Sequence, residues 1–308
     1  MSRPTSGSPG TWCRPIAPIL VTGSTGYLGS RIVELLSARK KPVIGVSRKG
    51  GERPCDLCIP EAVAALVDDV QADTIIHCAA VVPQSAEEYA DDAIGERNLA
   101  MVRHLIASNA KHIVFASSMT VYDASLSMPV AEEDAPPPAG GYGGGKRRAE
   151  LLLEKSPQRT SILRFPGLFG PPRREGLLYN TTRAFFEGKT PRLPATPPLW
   201  GAFHVEDAAD LCIRAGERRE ETPLVINAGY PDRQAVHLAV GELAGRFRRP
   251  APQMAEGPVF AMNVERAGQV VRGDVCIACL DFQSRSGLGV SREAVGDGSL
   301  PDKATPSP

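Results

Sequence analysis

The stretch "ILVTGSTGYLGSRIVELL", residues 19–36, constrains the fold of this chain more than any other. An apolar run stops at Gly23, and Gly26 and Gly29 follow at intervals of three. Leu28, Ile32, Leu35 and Leu36 then recur on one side of a helix, so the stretch reads as strand, tight turn and amphipathic helix. Each glycine has a physical task in such a turn. Gly23 permits the sharp reversal, Gly26 lets the backbone approach a pyrophosphate, and Gly29 lets the helix pack closely on the sheet. Phosphates would sit at the helix N-terminus, where exposed amides and the helix dipole favour anions. The alternative, an ordinary glycine-rich turn, does not require the flanking strand and helix that this stretch has.

The same alternation continues. "KPVIGVS", "TIIHCAA", "HIVFASS" and "TSILRF" read as strands; "EAVAALVDDV", "ERNLAMVRHLIASN" and "KRRAELLLEK" read as helices. Strands alternating with helices imply parallel βαβ units and a sheet covered on both faces. The expected fold is α/β, a doubly wound parallel sheet (Rossmann fold). After Gly170 prolines crowd "GKTPRLPATPPLWG", and order returns at "FHVEDAADLCIRAGE" and "PLVINAG". Residues 15–170 plus 201–228 are expected to form the dinucleotide-binding domain, and 171–200 plus 229–295 a smaller, discontinuous substrate lobe. Residues 1–14 and 296–308, rich in Ser, Pro and Gly, are expected to be disordered tails.

Composition excludes several classes of partner. Among 308 residues, 35 Lys and Arg balance 35 Asp and Glu. A neutral chain has no bulk attraction to nucleic acid or to acidic membranes. Its apolar runs are far shorter than the ~20 residues a membrane span needs, and the N-terminus lacks the apolar core of a signal peptide. The expectation is a cytoplasmic protein with a small-molecule partner. Seven cysteines are scattered along the chain. Cys55/Cys58 and Cys276/Cys279 have the spacing of zinc ligands, but more than two hundred residues separate the pairs, so reduced thiols and no metal are expected.

The second strand ends in "VSRKG". An acidic residue there usually holds a free ribose 2′-hydroxyl, whereas an arginine suits a 2′-phosphate. Arg48, with Ser47 and Lys49, therefore favours NADP(H), with NAD(H) as the alternative. Asp56 falls where an adenine amino group could be received. The small residues of "HCAA", ending at Ala79 and Ala80, suit close approach of a cofactor, and His77 reads as a structural histidine.

These residues resemble the extended short-chain dehydrogenase/reductase family, in its NAD(P)-dependent sugar-nucleotide epimerase/dehydratase branch. The match runs from about residue 19 to 210 through "TGSTGYLG", "CDL", "HCAA", "NLAMVRHLI", "FASSMTVYD", "EEDAPPPAGGYGGGKRRAELLLE", "RFPGLFGPP" and "FHVEDAA". The resemblance implies Tyr142 as general acid/base, Lys146 as its partner, Ser118 as the second hydroxyl and Asn98 as a supporting asparagine. It implies cofactor contacts from Gly23, Thr25, Gly26, Tyr27, Leu28, Gly29, Ser47, Arg48, Asp56, Leu57, Ala79, Ala80, Ser117, Tyr142, Lys146 and Phe165. Substrate contacts fall to Ser118, Met119, Gly167 and Trp200. A homodimer through the helices bearing Asn98 and Tyr142–Lys146 is also implied.

The residue chemistry agrees with that trio. A free tyrosine has a pKa of about 10, and a nearby ammonium or a cationic nicotinamide would lower it. Helical spacing of four puts Lys146 beside Tyr142. Yet three glycines, Gly143 to Gly145, stand between them, each costing about 1 kcal/mol in a helix interior relative to alanine. Gly145 is expected to leave space beside the cofactor or a neighbouring helix. Gly143 and Gly144 are less necessary on this reading, and a loose turn is the alternative.

Departures from the family pattern refine the function. Met119-Thr120 replaces the Asp-Glu that water-removing members carry after the catalytic hydroxyl, which disfavours a dehydratase or decarboxylase. Gly167 stands where many epimerases place an asparagine on the diphosphate, and Trp200 where an arginine grips phosphate. Arg173, Arg174, Arg183 and Arg192 are the candidates to replace that grip. The preferred function is an NAD(P)-dependent epimerase or ketoreductase acting on a nucleotide-activated sugar through a keto form. The alternatives are a reductase of a small non-nucleotide carbonyl compound and a non-catalytic NADP(H)-binding sensor.

Overall fold

The structure is a computed structural model, and it describes residues 17–123, 125–193, 201–230, 236–254 and 260–267. The expected tails, Trp200, Cys276 and Cys279 lie outside the described residues. Strand β1 (Ile19–Thr22) leads into helix α1 (Tyr27–Ala38), then β2 (Val43–Ser47), a short β3 (Arg53–Pro54), α2 (Pro60–Val70) and β4 (Thr74–His77). Helices α3 (Ala86–Ala90) and α4 (Asp92–Ile106) precede β5 (His112–Ser118), and α5 (Gly141–Glu154) precedes β6 (Arg159–Phe165). Next come β7 (Gly167–Phe169), α6 (Leu177–Phe186), β8 (Ala202–His204), α7 (Val205–Glu217), β9 (Leu224–Asn227) and α8 (Val236–Arg246).

Seven strands form one parallel sheet in the order β3-β2-β1-β4-β5-β6-β9. Because successive strand residues point to opposite faces, each strand feeds two cores. Val21, Ile76, Val114 and Leu163 face α1 and α7, meeting Leu28, Ile32, Leu36, Ala208 and Leu211. Their neighbours Leu20, Ile75, Ile113, Phe115 and Ile162 face α2, α4 and α5, meeting Val63, Val67, Leu99, Val102, Leu105 and Leu153. Helices cover both faces, as the alternating pattern predicts.

The region after Gly170 holds more order than its prolines suggest. β7 and β8 pair in parallel as a separate two-stranded sheet. Leu178 and Phe185 of α6 and Ala239, Leu243 and Ala244 of α8 join the apolar cluster of α1 and α7. The helix read from "FHVEDAAD" begins at Val205, with Phe203 and His204 in β8; the His204 imidazole caps it, Nδ1 accepting from Glu206 N at 3.2 Å. A third apolar cluster seats Phe260, Met262 and Val264 against Val121, Tyr122 and Val130.

Among the described residues no helix is long and apolar enough to cross a membrane. Among them, too, no group of three or more His, Cys, Asp or Glu is placed to hold a metal ion, and Cys55 and Cys58 are free thiols.

Candidate active site

β1, β4, β5 and β6 end together at the carboxyl edge of the sheet, the edge where open α/β sheets bind ligands. There the β1–α1 turn requires its glycines. Gly23 has φ +68°, and a Cβ on it would lie 2.7–2.9 Å from the backbone of Cys78 and Ala79. A Cβ on Gly29 would overlap the Gly23 carbonyl. Gly26 is the N-cap of α1 and supplies no side-chain cap, so the first amides of the helix face outward without a side-chain acceptor. Ser24, on the same turn, is buried, and its Oγ has no hydrogen-bond partner. A cradle with no room for side chains, an uncapped helix terminus and an unsatisfied hydroxyl fit the phosphates and ribose of a dinucleotide.

Ser24 was not singled out by the sequence. Its Oγ lies 3.1 Å from where a Cβ on Gly51 would stand, and Ser47 Oγ lies 3.0 Å from the same point, so both hydroxyls face the turn after β2. Ser47 Oγ donates to Lys49 O and Gly50 O at 2.9 and 2.6 Å, shaping that turn, and Arg48 is exposed on it. Asp56 Oδ1 accepts from Cys58 N at 2.9 Å, and Leu57 is buried. At the end of β4, Ala79 N donates to Thr22 Oγ1 at 3.3 Å. His77 is stacked on Phe115, with Nδ1 2.7 Å from Thr22 Oγ1. Burial, with the Lys146 charge nearby, pushes its pKa down to about 3, which keeps it neutral and structural.

Tyr142 and Lys146 occupy the first turns of α5 and are both buried. Lys146 Nζ donates to Ala116 O at 2.8 Å and lies 4.6 Å from the Phe115 ring centroid and 5.8 Å from that of Tyr142. Burial lowers its pKa to about 8, against the opposing influence of Cys78 and Glu150. The sequence expectation that the lysine charge depresses the Tyr142 pKa is corrected here. In the chain by itself, burial raises it well above the ordinary phenol, and Tyr89 adds to that rise. The physical reason is desolvation of the phenolate, with the ammonium directed at the β5 carbonyl. The Tyr89 ring stands edge-on to Tyr142 at 5.7 Å, a neighbour the sequence did not reveal.

Ser118 closes β5, and its Oγ accepts from Thr120 N at 3.2 Å and Thr120 Oγ1 at 3.0 Å, capping a 3-10 turn over Met119–Val121. The glycines of α5 bring Tyr142 to this turn. A Cβ on Gly143 would overlap Thr120 O, one on Gly144 would overlap Ala139 O, and one on Gly145 would overlap the backbone of Gly95 on α4. The loose-turn alternative is therefore wrong, and so is the reading that Gly143 and Gly144 are less necessary. Each of the three sits against backbone, which cannot yield as a side chain can.

The remaining expected residues have these partners. Asn98 grips the exit of β4, with Oδ1 accepting from Val81 N at 2.8 Å and Nδ2 donating to Val81 O at 3.0 Å. On the same helix Asp92 Oδ1 accepts from Gly141 N at 2.6 Å, at the start of α5. The Ser117 hydroxyl is turned to Glu150, donating to Oε1 at 2.5 Å, and Phe165 is stacked on Phe203 in the core. Met119 and Gly167 both approach Gly201: Met119 Sδ lies 4.0 Å from where a Cβ on Gly201 would stand, and Gly167 N donates to Gly201 O at 2.9 Å. Beneath the trio, Glu150 and Arg164 form a buried bidentate pair at 2.7 and 3.0 Å, and Arg164 Nη1 also donates to Tyr122 Oη at 2.7 Å.

A parallel, doubly wound sheet with a glycine cradle at β1–α1 and a Tyr/Lys helix against a serine-ended strand defines the dinucleotide-binding short-chain dehydrogenase/reductase class. Within it, the chain belongs to the NAD dependent epimerase/dehydratase family, whose model matches residues 19–229. Methionine adenosyltransferase 2 subunit beta of Xenopus laevis is 28% identical over 225 residues, which cover 68% of this chain and 65% of that protein. The chain thus spans just under two thirds of the length of this relative. UDP-N-acetylglucosamine 4-epimerase from Bacillus cereus superposes with a TM-score of 0.70 at 20% identity, covering 89% of this chain and 98% of that one. WbmG of Bordetella bronchiseptica, solved in complex with NAD and UDP, gives 0.71 at 14% identity, covering 86% and 94%. At these identities the solved structures show the shared fold.

Proposed function

We propose that the chain is an NAD(P)-dependent oxidoreductase or epimerase acting on a ring alcohol or ketone of a nucleotide-activated sugar. The observation that carries this reading is the packing of the first turn of α5 on the Thr120 carbonyl, which sets Tyr142 against the turn headed by Ser118. A nicotinamide dinucleotide, when bound, supplies the hydride acceptor or donor. The β1–α1 cradle would hold its phosphates, and Ser24, Ser47 and Arg48 its adenosine ribose. Arg48 favours NADP(H).

Tyr142 would move the proton of the reacting oxygen, and Ser118 would hold that oxygen by a hydrogen bond. Lys146, fixed on Ala116 O, supplies positive charge beside the phenol. Burial of the phenol disfavours its ionised form, so proton exchange depends on cationic charge that arrives with the cofactor. Segment 171–193 with α6, together with α8, would form the substrate side. UDP in the WbmG structure supports a nucleotide diphosphate as the substrate handle.

The relative from Xenopus laevis favours a second reading, since its name gives a subunit of a methionine adenosyltransferase and no sugar reaction. On that reading the chain binds the dinucleotide within a larger assembly and does not turn over. Incubation with a panel of UDP-sugars, with product analysis by NMR and mass spectrometry of the cofactor carried through purification, separates the cases. Retained oxidised cofactor with epimerised sugar identifies an epimerase, and exchangeable NADPH with a reduced sugar identifies a ketoreductase. A chain that binds dinucleotide and converts no sugar supports the subunit reading.

A further inference from the structure

A serine hydroxyl has two lone pairs that accept and one proton to give. Both lone pairs of Ser118 are taken by one residue: its Oγ accepts from Thr120 N at 3.2 Å and from Thr120 Oγ1 at 3.0 Å. Among the described residues no third group hydrogen-bonds this hydroxyl, so its proton is what it has left to offer a ligand. Ser118 and Thr120 are both half-buried, so the pair is not sealed in the core.

Thr120 also joins this hydroxyl to the neighbouring helix. Its carbonyl abuts the first turn of α5, where a Cβ on Gly143 would lie 2.2 Å from Thr120 O. One residue therefore holds Ser118 with its N–H and side chain and seats the turn carrying Tyr142 with its C=O. The chain has Thr120 where water-removing members of the resembled family carry an acid. An ionised carboxylate only accepts and could not fill a lone pair of Ser118, whereas a threonine hydroxyl does.

Burial raises the Tyr142 pKa, so in the chain by itself the phenol keeps its proton at neutral pH. Two proton-bearing hydroxyls suit an oxygen that only accepts. A carbonyl oxygen is such a group. An alcohol brings a proton of its own, which finds no free lone pair on Ser118.

We infer that Thr120 is a positioning residue that fixes Ser118 as a hydrogen-bond donor, so that the site takes the ring ketone of its substrate in preference to the matching alcohol. The inference rests on the sugar reading proposed above and narrows it to the keto form. Ser118 keeps its proton, and Tyr142 remains the group that moves one.

Calorimetric titration of the full chain tests it with UDP-4-keto-6-deoxyglucose and UDP-6-deoxyglucose, the ketone and alcohol of one ring. Each is added to protein holding the dinucleotide that cannot react with it, NADP+ for the ketone and NADPH for the alcohol. Thr120→Val should weaken the ketone about fivefold, the size of one ordinary hydrogen bond, and leave the alcohol unchanged or tighter. Thr120→Ser restores the hydroxyl and should restore ketone affinity. Thr120→Cys, with only a weak S–H donor, should repeat the loss confined to the ketone, which covers the case of a Thr120→Val chain that fails to fold. In a Ser118→Ala background Thr120→Val should add nothing, since the two act as one unit. Unchanged or tighter ketone binding by Thr120→Val would mean that Ser118 gives its proton to Thr120, and would overturn the inference. Equal losses for ketone and alcohol would reduce Thr120 to a packing role and overturn it too. A wild-type chain that binds neither sugar would remove the nucleotide-sugar reading and this inference with it, an outcome told apart because the wild type itself fails.

Discussion

Gly145 of α5 meets Gly95 of α4 backbone to backbone: a methyl group built on Gly145 would overlap the α-carbon and carbonyl of Gly95. A methyl group on Gly95 would in turn overlap the carbonyl of Gly141. This crossing, with Asp92 Oδ1 on Gly141 N at 2.6 Å, fixes the turn that carries Tyr142 and Lys146. Poor helix formers are tolerated there because tertiary contact, not local propensity, holds the turn.

Gly145→Ala should therefore destabilise the chain by about 1–3 kcal/mol, the usual range for overpacking, although alanine gains about 1 kcal/mol in intrinsic helix propensity. Gly241 on α8 is the internal control, since a Cβ there would meet nothing within 4 Å. Gly241→Ala should stabilise by about 0.5–1 kcal/mol. Urea denaturation of both variants checks the contrast, and equal stabilisation of the two would contradict the crossing.

Lys146 makes stability depend on pH. Its pKa is lowered from 10.5 to about 8 in the fold. Between those values the unfolded chain binds more protons than the folded one, so this group's contribution to stability rises with pH. Below about pH 8 its penalty is fully present. The groups around Nζ include the Ala116 carbonyl, the Phe115 and Tyr142 rings, Cys78, Glu150 and the neutral His77. Tyr142, raised by burial, acts in the opposite sense only above about pH 10. Lys146→Met should be more stable than wild type at pH 7, and the difference should shrink by pH 9.5. Denaturant midpoints at the two pH values measure this; a difference that does not change with pH would refute it.

Glu150 and Arg164 are both buried, at 0% and 1% side-chain exposure, and are held by the bidentate contact. Glu150→Gln leaves a buried guanidinium without its counter-charge and should cost roughly 3–5 kcal/mol. Pairing Glu150→Leu with Arg164→Met removes both charges and should recover most of that loss. A double-mutant cycle by thermal unfolding reads the coupling, and strictly additive losses would show that the pair is not a unit.

The sheet and the cofactor turn were legible because short apolar runs, amphipathic helices and spaced glycines are local signals. Val21 and Leu20 face opposite cores as that pattern requires. The packing of α5 was legible only in part: Gly145 was expected to leave space for the cofactor or a neighbouring helix and meets Gly95 of α4, but nothing in the sequence marks Thr120 and Ala139 as the partners of Gly143 and Gly144. Asn98 stood out by residue type and holds Val81, whereas Asp92, six residues earlier on the same helix, holds Gly141 at the start of α5 and did not stand out. Ser24 was hidden for another reason: a serine in a glycine-rich turn looks like filler until its hydroxyl is found buried and unsatisfied. The direction of the Tyr142 shift depended on burial, a quantity set by the whole fold.

The most direct test of the whole account compares wild type with Tyr142→Phe, first by dinucleotide titration and then by conversion of a UDP-sugar. The account predicts equal dinucleotide affinity within about twofold, since the phenol hydroxyl is assigned to proton transfer and not to cofactor binding. It also predicts turnover for wild type alone. Turnover that survives the loss of the hydroxyl would contradict it.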